Sequence, residues 1–399
     1  MAEVMITGKR PLKGEIKISG SKNAVLPEMA ACLLTEEKVV LTNVPEISDK
    51  EEMIKTLQSY QVSVNSSSDK LEIQAGNLSD RPSENAGDKT RASFLVLGGC
   101  SLQNDGRPVD FHIEAMKEMG AELVEETTNK VLMKATHGLK PATITFPKSS
   151  VGATQTVMMA ASLSESVGSS RDAEKMGAKI IIKENVLIQE RITEFDISEY
   201  ISTWNVIIVR GRNSLRGVRH EVMPDRIEFG TYAIAAAMNK GSILLKVKEE
   251  MQEKMLKSIE KPLYQAGVKI TREHNGVRVS LPGNDIEPAD IETGPYPSFP
   301  TDLLPQWVTF MTQARPTHCT PLTGDHVQAT DLRGGAALVL AGLVAQGSTV
   351  VKNFEHIKRG YPDMIGKLNG CGAKLEILKP PRHGFHGGPE GQFSRLRID

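Results

Sequence analysis

A pattern of helix, glycine and strand recurs along this 399-residue chain and limits the folds that it can adopt. In each copy an amphipathic run ends at a glycine, and a strand-like run follows at once. A glycine just past a helix end takes the left-handed conformation that satisfies the last helical carbonyls. The glycines of the four copies are Gly120, Gly177, Gly267 and Gly372. Repetition at this scale predicts stacked supersecondary units of an α/β protein.

A second set of predicted helices is small and apolar nearly all round, which is typical of helices buried on every side. These segments are Ala24–Leu34, Ala92–Leu97, Ala153–Leu163, Ile227–Met238, Leu303–Thr312 and Gly334–Ala345. The repeated outer helices are amphipathic, so each buried helix has an outer partner in the simplest arrangement. The length of the chain favours two domains. We therefore predict six related units, three in each domain.

Basic residues stand at the starts of most of these buried helices. A cation at a helix N-terminus opposes the macrodipole by about 0.3 to 1 kcal/mol unless an anion lies between them. Any one of them is compatible with a solvated cation beside an ordinary cap, but five together predict a site for a ligand rich in phosphate and carboxylate. The five are Lys22, Arg91, Lys148, Arg226 and Arg333, and an acid, Asp302, stands at the sixth start.

Composition and motifs exclude several classes of function. A formal net charge of −1 leaves no general basic field for nucleic acid or an anionic membrane. The longest small-apolar run, Gly334–Val344, is far too short to span a bilayer, and the N-terminal residues are too polar for a secretory signal. No glycine-rich phosphate loop is present. The scattered cysteines fit reduced thiols in the cytoplasm, and His112 and His356 have no metal-ligand spacing, so no metal is expected.

Cys100 and Asp302 each allow two interpretations. Cys100 lies in a polar, glycine-rich loop that ends at Arg107, where nearby cations would lower its pKa; an isolated cysteine is also commonly an inert apolar residue. Asp302 follows three prolines at a helix start. It is a candidate general base or a helix cap, and by itself the position favours the cap.

Eight short motifs, taken in order, resemble the enolpyruvyl transferases. They are ISGSKNAVLP, KTRAS, RPVDFHI, SVGAT, MPDRIEFGT, FPTD, ATDLR and IKRGY. The resemblance runs from about residue 5 to residue 376. It implies two inside-out α/β barrel domains built from repeated units, with residues 21–225 in the first and residues 1–20 and 226–376 in the second. Residues 377–399, rich in Gly, Pro and Arg, are expected to form a disordered tail.

The resemblance also implies a reaction. The sequence is most similar to the branch of the family that transfers the enolpyruvyl group of phosphoenolpyruvate to the 3′-hydroxyl of UDP-N-acetylglucosamine and releases phosphate. This reaction is the first committed step of peptidoglycan synthesis, which serves cell-wall formation, cell shape and cell division. The resemblance implies that the enzyme is located in the cytoplasm. The expected protein is a monomer that binds these two small molecules, with no cofactor and no metal, nucleic acid or membrane partner.

Residue roles follow from the resemblance, position by position. Lys22, Arg91, Arg107 and Arg359 are implied to hold phosphoenolpyruvate, Cys100 to act in acid chemistry and Asp302 to accept the hydroxyl proton; Lys22 and Arg359 are also counted as catalytic. Contacts with the nucleotide sugar are implied for Asn23, Arg107, Pro108, Val109, Asp110, Phe111, Lys148, Ser150, Val151 and Gly152. Asp225 and Arg226 match a further substrate-binding motif, and Asp331 and Arg333 match residues that complete the closed site.

The chain departs from the family pattern by being shorter. Residues are missing between Arg91 and Cys100 and after Ser170, and most of one unit is missing between Thr312 and Gly324. The loop between Cys100 and Arg107 is instead longer. Two alternatives therefore stay open: an inactive relative that binds UDP-sugar or a protein partner, and an enzyme of the shikimate branch that acts on 3-phosphoshikimate.

Overall fold

The structure is a computed structural model that describes residues 2–76, 109–127, 130–147, 150–162, 179–184, 201–203, 206–210, 214–283, 285–294, 296–315 and 321–378. The predicted helix Ala92–Leu97, the glycine Gly177 and the tail from residue 379 onward lie outside these residues. The following description concerns the described residues alone.

The helices predicted to be buried are present wherever the chain is described. They are α1 (Lys22–Ala31), α4 (Val151–Ser162), α5 (Arg226–Met238), α8 (Leu304–Met311) and α9 (Leu332–Val344). Short 3-10 turns, Cys32–Leu34 and Thr301–Leu303, extend α1 at its end and α8 at its start. In α5, every residue from Ile227 to Met238 is buried, as expected for a helix that is apolar all round.

The other described helices are α2 (Ser48–Ser59), α3 (Asp110–Glu118), α6 (Glu249–Leu256), α7 (Glu260–Gln265), α10 (Glu355–Lys358) and α11 (Met364–Gly370). Of these, α3, α7 and α11 are the predicted outer helices that precede the repeated glycines. Gly120, Gly267 and Gly372 follow helices with φ values of 90°, 86° and 93°. Their left-handed backbone confirms the role that the sequence assigns to the repeated glycine.

The described strands form four four-stranded sheets and one hairpin. Written in spatial order, the sheets are β16 (His326–Gln328), β17 (Ser348–Lys352), β1 (Glu3–Thr7) and β18 (Lys374–Leu378); β14 (Lys269–Glu273), β15 (Gly276–Ser280), β13 (Ser242–Lys246) and β2 (Lys13–Lys17); β12 (Arg219–Glu221), β3 (Val39–Thr42), β5 (Lys70–Gln74) and β4 (Ser63–Ser67); and β10 (Ile201–Thr203), β11 (Val206–Arg210), β9 (Lys179–Glu184) and β8 (Thr143–Phe146). The hairpin pairs β6 (Glu122–Thr127) with β7 (Lys130–Lys134).

All four sheets share one pattern of pairing, in which a parallel pair at one edge is followed by two antiparallel pairs. The parallel pairs are β16 with β17, β2 with β13, β12 with β3 and β8 with β9. This identity of topology confirms the repeated supersecondary units. At one place the units exchange strands: β2 leads into α1 but pairs with β13, which follows α5, whereas β12 leads into α5 but pairs with β3, which follows α1.

The buried apolar side chains fall into three clusters. The largest combines residues 4–18 with residues 227–375. The second draws mainly on residues 25–75 and the third on residues 109–209. The N-terminal strands therefore share a core with the C-terminal part of the chain. This separation supports the division into two domains at residues 20 and 225, which we retain as a proposal.

Two sequence expectations need correction. Helix α8 is not buried on all sides, because the side chains of Leu304 and Val308 are 37% and 57% exposed. The described residues that follow it, 312–315 and 321–324, have neither helix nor strand, only isolated bridges at Ala314 and Thr323. At the C-terminus, Ile377, assigned to the tail by the sequence, belongs to β18. No helix among the described residues is long and apolar enough to cross a membrane.

The core packing of α5 gives a stability prediction. Phe229 is 0% exposed in the largest cluster, whereas Tyr264 on α7 is 78% exposed. Phe229→Ala should lower the free energy of unfolding by about 3 to 5 kcal/mol, because it removes a buried ring and leaves a cavity. Tyr264→Ala, the matched control, should change it by less than about 0.5 kcal/mol. Urea denaturation measures both, and equal losses would show that α5 is not a core helix.

Candidate active site

The chain crosses between two sheets at the segments that lead from β2 into α1 and from β12 into α5. These two crossings lie side by side and bring the starts of α1 and α5 together. Ser21 N donates to Met223 O at 2.7 Å, and Asp225 N donates to Ser19 O at 2.8 Å. The Asp225 carboxylate caps α5 by accepting from Ile227 N and Glu228 N at 2.7 and 3.0 Å. Its second oxygen accepts from Lys22 N, the first residue of α1, at 3.3 Å. One buried carboxylate thus fixes two helix N-termini next to each other.

Lys22 and Arg359 meet on a third acid, Asp49. Lys22 Nζ lies 2.5 Å from Asp49 Oδ2, and Arg359 Nε lies 2.9 Å from Asp49 Oδ1. The Asp49 side chain is 6% exposed, on the first turn of α2. Burial lowers the pKa of Lys22, with Arg359 and Arg333 acting in the same direction, while the charge of Asp49 opposes them. Two arginines therefore lie close enough to affect one lysine.

Arg333 and Asp302 form the other half of the cluster. Arg333 Nη2 and Nε donate to Asp302 Oδ2 at 2.7 and 3.1 Å. The arginine side chain is 12% exposed, whereas that of Asp302 is 46% exposed. Burial works against the charge of Arg333, but Tyr361, Asp302 and Asp225 together outweigh it and raise its pKa. The result is a fixed guanidinium that holds a half-exposed carboxylate.

The geometry excludes one of the two interpretations of Asp302. This residue lies inside the 3-10 turn Thr301–Leu303 and makes no capping hydrogen bond, so the cap interpretation is wrong. The caps are Asp225 on α5 and Asp331 on α9. Asp331 accepts from Gly334 N and Arg333 N at 2.8 and 2.9 Å, and these bonds lower its pKa.

Arg359 lies at the opposite end of a helix from Lys22 and Arg333. Arg359 does not begin a helix but follows α10 as its C-cap residue. A cation is favourable at that end of a helix because it interacts with the negative end of the dipole. The neighbouring Gly360 permits the close approach of this loop, since a Cβ there would lie 2.9 Å from a methyl of Leu332 and 3.4 Å from the Lys22 side chain.

Other predicted site residues lie at helix starts away from these ion pairs. Asn23 is exposed on the first turn of α1, and the guanidinium of Arg226 lies 5.5 Å from the centre of the Tyr296 ring. Val109, Asp110 and Phe111 open α3, while Ser150, Val151 and Gly152 open α4. The two openings meet, because a Cβ on Gly152 would lie 3.1 Å from His112 Nε2.

Arg91, Cys100, Arg107, Pro108 and Lys148 lie outside the described residues, so their placement stays a prediction. The two described cysteines, Cys32 and Cys371, are buried free thiols. Burial raises the pKa of both, so neither has the activated thiol that the sequence expects at Cys100. Among the described residues, no group of three or more His, Cys, Asp or Glu side chains is placed to hold a metal ion.

Sequence reasoning missed Asp49 and Tyr361. Asp49 has the sequence appearance of an ordinary first-turn acid on an amphipathic helix. In the sequence, Tyr361 looks like an ordinary aromatic residue in a loop. The available signal for Asp49 was Lys22 at the start of a buried helix, because a buried cation requires a nearby carboxylate.

Comparison with known proteins places this geometry in a family. The model of the family EPSP synthase (3-phosphoshikimate 1-carboxyvinyltransferase) matches residues 6–318 and 309–368. The fold is similar to that of the enolpyruvyl transferase NikO from Streptomyces tendae, with a TM-score of 0.80 and 17% identity over 95% of this chain and 100% of that one. For EPSP synthase from Acinetobacter baumannii the TM-score is 0.71 and the identity 14%, over 95% of this chain and 100% of that one.

Curated relatives are closer in sequence. A UDP-N-acetylglucosamine 1-carboxyvinyltransferase from Xanthobacter autotrophicus is 36% identical over 441 residues, covering 95% of this chain and 100% of the relative. Proteins of the same name from Halothermothrix orenii and Wolbachia pipientis are 33% and 35% identical, covering 95% and 92% of this chain and 100% and 97% of those proteins. The chain therefore belongs to the enolpyruvyl transferases, within the UDP-N-acetylglucosamine 1-carboxyvinyltransferase family.

Proposed function

We propose that this enzyme transfers the enolpyruvyl group of phosphoenolpyruvate to the 3′-hydroxyl of UDP-N-acetylglucosamine and releases phosphate. The sugar oxygen bonds to C2 of phosphoenolpyruvate while C3 gains a proton, which gives a tetrahedral intermediate that still carries the phosphate. Loss of phosphate and of a C3 proton then restores the double bond. The observation that carries this proposal is the meeting of Lys22, Arg359 and Arg333 with Asp49 and Asp302 in a chain of this family.

Lys22 and Arg359 are proposed to hold the anionic groups of phosphoenolpyruvate. Both cations contact the buried Asp49 carboxylate, which fixes their positions before a ligand arrives. A preorganised pair of donors stabilises a phosphate-bearing intermediate without reorganising during the reaction. Arg91 and Arg107 are proposed to complete this group, and Cys100 is proposed to deliver the proton to C3.

Asp302 is proposed to accept the proton of the sugar hydroxyl. A general base must be accessible to its substrate and held in one orientation. The carboxylate of Asp302 meets both demands, because it is half-exposed and receives two hydrogen bonds from Arg333 on a single oxygen. Its other oxygen remains available to the hydroxyl.

Contacts with the nucleotide sugar are proposed for the starts of α3 and α4, which lie together. These residues are Val109, Asp110, Phe111, Ser150, Val151 and Gly152, with Asn23, Pro108 and Lys148. Asp225 and Arg226 are proposed to border the substrate and Asp331 to place Arg333. We also propose that the enzyme is a cytoplasmic monomer that needs no cofactor or metal and acts in peptidoglycan synthesis.

A phosphate-release assay also tests the two alternatives, an enzyme of the shikimate branch and an inactive binding protein. The family model carries the name 3-phosphoshikimate 1-carboxyvinyltransferase, and the alignment with the Xanthobacter relative spans 441 residues against 399 in this chain, so this chain has gaps. Phosphate release should require phosphoenolpyruvate with UDP-N-acetylglucosamine. Release with 3-phosphoshikimate instead would favour the shikimate branch. Thermal stabilisation by UDP-N-acetylglucosamine without phosphate release would favour an inactive binding protein.

The role of Asp302 gives a kinetic prediction. Asp302→Asn should lower kcat by about 10²- to 10⁴-fold, because the amide cannot accept the hydroxyl proton. Steady-state phosphate release measures the effect. Asp290→Asn, which changes an exposed acid outside the cluster, is the control and should leave kcat unchanged. Equal rates for wild type and Asp302→Asn would exclude Asp302 as the base.

The environment of Lys22 gives a titration prediction. Burial lowers its pKa and the Asp49 charge counteracts this. After reductive methylation with ¹³C-formaldehyde, the NMR signal of Lys22 should titrate below the ordinary pH range of a lysine side chain. Asp49→Asn should move the Lys22 transition to still lower pH, because the stabilising charge is gone. A Lys22 signal that titrates in the ordinary lysine range would contradict the buried cluster.

A further inference from the structure

Tyr361 is a fully buried residue that ties three inner helices together behind the Arg333–Asp302 pair. Its side chain is 1% exposed. Gln306 Nε2, on α8, donates to the Tyr361 hydroxyl at 2.8 Å, and Thr231 Oγ1, on α5, lies 3.0 Å from the same oxygen. Gln306 Nε2 also lies 3.1 Å from Thr231 Oγ1. The three polar groups form a closed triangle in an apolar core.

The hydrogen bonds of this triangle have one consistent direction. The hydroxyl of Thr231 donates to Ile227 O at 2.8 Å, one turn earlier on α5, so its single proton is used. The Tyr361 hydroxyl must therefore donate to Thr231 and accept from Gln306. Burial raises the pKa of Tyr361, which keeps this proton in place at neutral pH. The ring is held in one orientation by groups from two helices.

Arg333 lies against this fixed ring. Its guanidinium carbon is 5.4 Å from the centre of the Tyr361 ring, within the range of a cation–π interaction, and it also interacts with the hydroxyl. The same guanidinium reaches Asp302 with two nitrogens. Gln306 is one helical turn after Asp302, so the triangle also anchors the helix that begins beside this acid. A chain of contacts thus runs from Thr231 and Gln306 through Tyr361 to Arg333 and Asp302.

We propose that Tyr361, held by Thr231 and Gln306, is a positioning residue that keeps Arg333 in the orientation in which it presents the Asp302 carboxylate to the sugar hydroxyl. This inference rests on the proposed function of Asp302. Tyr361 touches no reacting atom in this account and acts only through Arg333. Its hydroxyl is the group that matters, because it makes the contacts with Thr231 and Gln306 that fix the ring.

The experiment compares two single-atom deletions in the full-length enzyme. Tyr361→Phe removes the hydroxyl within the triangle. Tyr232→Phe removes the hydroxyl of another fully buried tyrosine, which has no hydrogen-bond partner among the described residues. Tyr361→Phe should lower kcat for phosphate release roughly tenfold with KM for phosphoenolpyruvate unchanged, because an orientation used in the transition state is lost. Tyr232→Phe should leave kcat unchanged.

A double-mutant cycle then separates positioning from general destabilisation. Arg333→Lys removes the paired hydrogen bonds from Arg333 Nε and Nη2 to Asp302. In this background, Tyr361→Phe should cause no further fall in kcat. An unchanged kcat for Tyr361→Phe, or the same fold loss with and without Arg333→Lys, would overturn the proposal. Thermal unfolding of each variant controls for folding.

A second measurement does not depend on turnover. The Nε–H resonance of Arg333, assigned by its loss in Arg333→Lys, should exchange with water faster in Tyr361→Phe than in wild type or in Tyr232→Phe. Equal exchange rates would overturn the proposal even where Arg333→Lys has no detectable activity. Absence of phosphate release by wild type would instead reject the proposed function and leave this test of the contact in force.

Discussion

The carboxylate of Asp225 is the contact on which the arrangement of this site depends. It caps α5 with one oxygen and accepts from the first residue of α1 with the other. Both helices follow chain crossings that exchange strands between two sheets. Because these crossings are hydrogen-bonded to each other, the start of α1 cannot move away from the start of α5 without breaking the Ser21–Met223 and Asp225–Ser19 bonds. Lys22 therefore lies beside residues more than 300 positions away in sequence.

The cations around this junction are costly for stability alone. Lys22 is the first residue of a helix, where its charge opposes the dipole, and burial removes much of its hydration. The Asp49 carboxylate offsets part of this cost by contacting Lys22 and Arg359 together. On the other side, Arg333 is buried while its partner Asp302 stays half-exposed. Charges that are expensive to bury and yet incompletely neutralised are typical of binding and catalytic sites.

Much of the fold was predictable because it depends on local periodicity. The all-apolar pattern of α5 and the glycines after the outer helices report burial and helix ends directly, and both were confirmed. The order of short motifs identified the family. What local sequence could not provide was the partner of each charge. Asp49 is an ordinary first-turn acid until tertiary structure brings Arg359 to it, and Asp302 resembles a cap until the turn at Thr301–Leu303 and the contact with Arg333 are known.

The Lys22–Asp49–Arg359 group and the Arg333–Asp302 pair are proposed to border one substrate site. The most direct measurement is a crystal structure of the Asp302→Asn variant with phosphoenolpyruvate and UDP-N-acetylglucosamine bound. The account predicts that the phosphate lies within hydrogen-bonding distance of Lys22 and Arg359 and that the sugar 3′-oxygen faces the side chain at position 302. Ligands bound elsewhere, with Lys22 and Arg359 still closed on Asp49 and no contact at position 302, would contradict it.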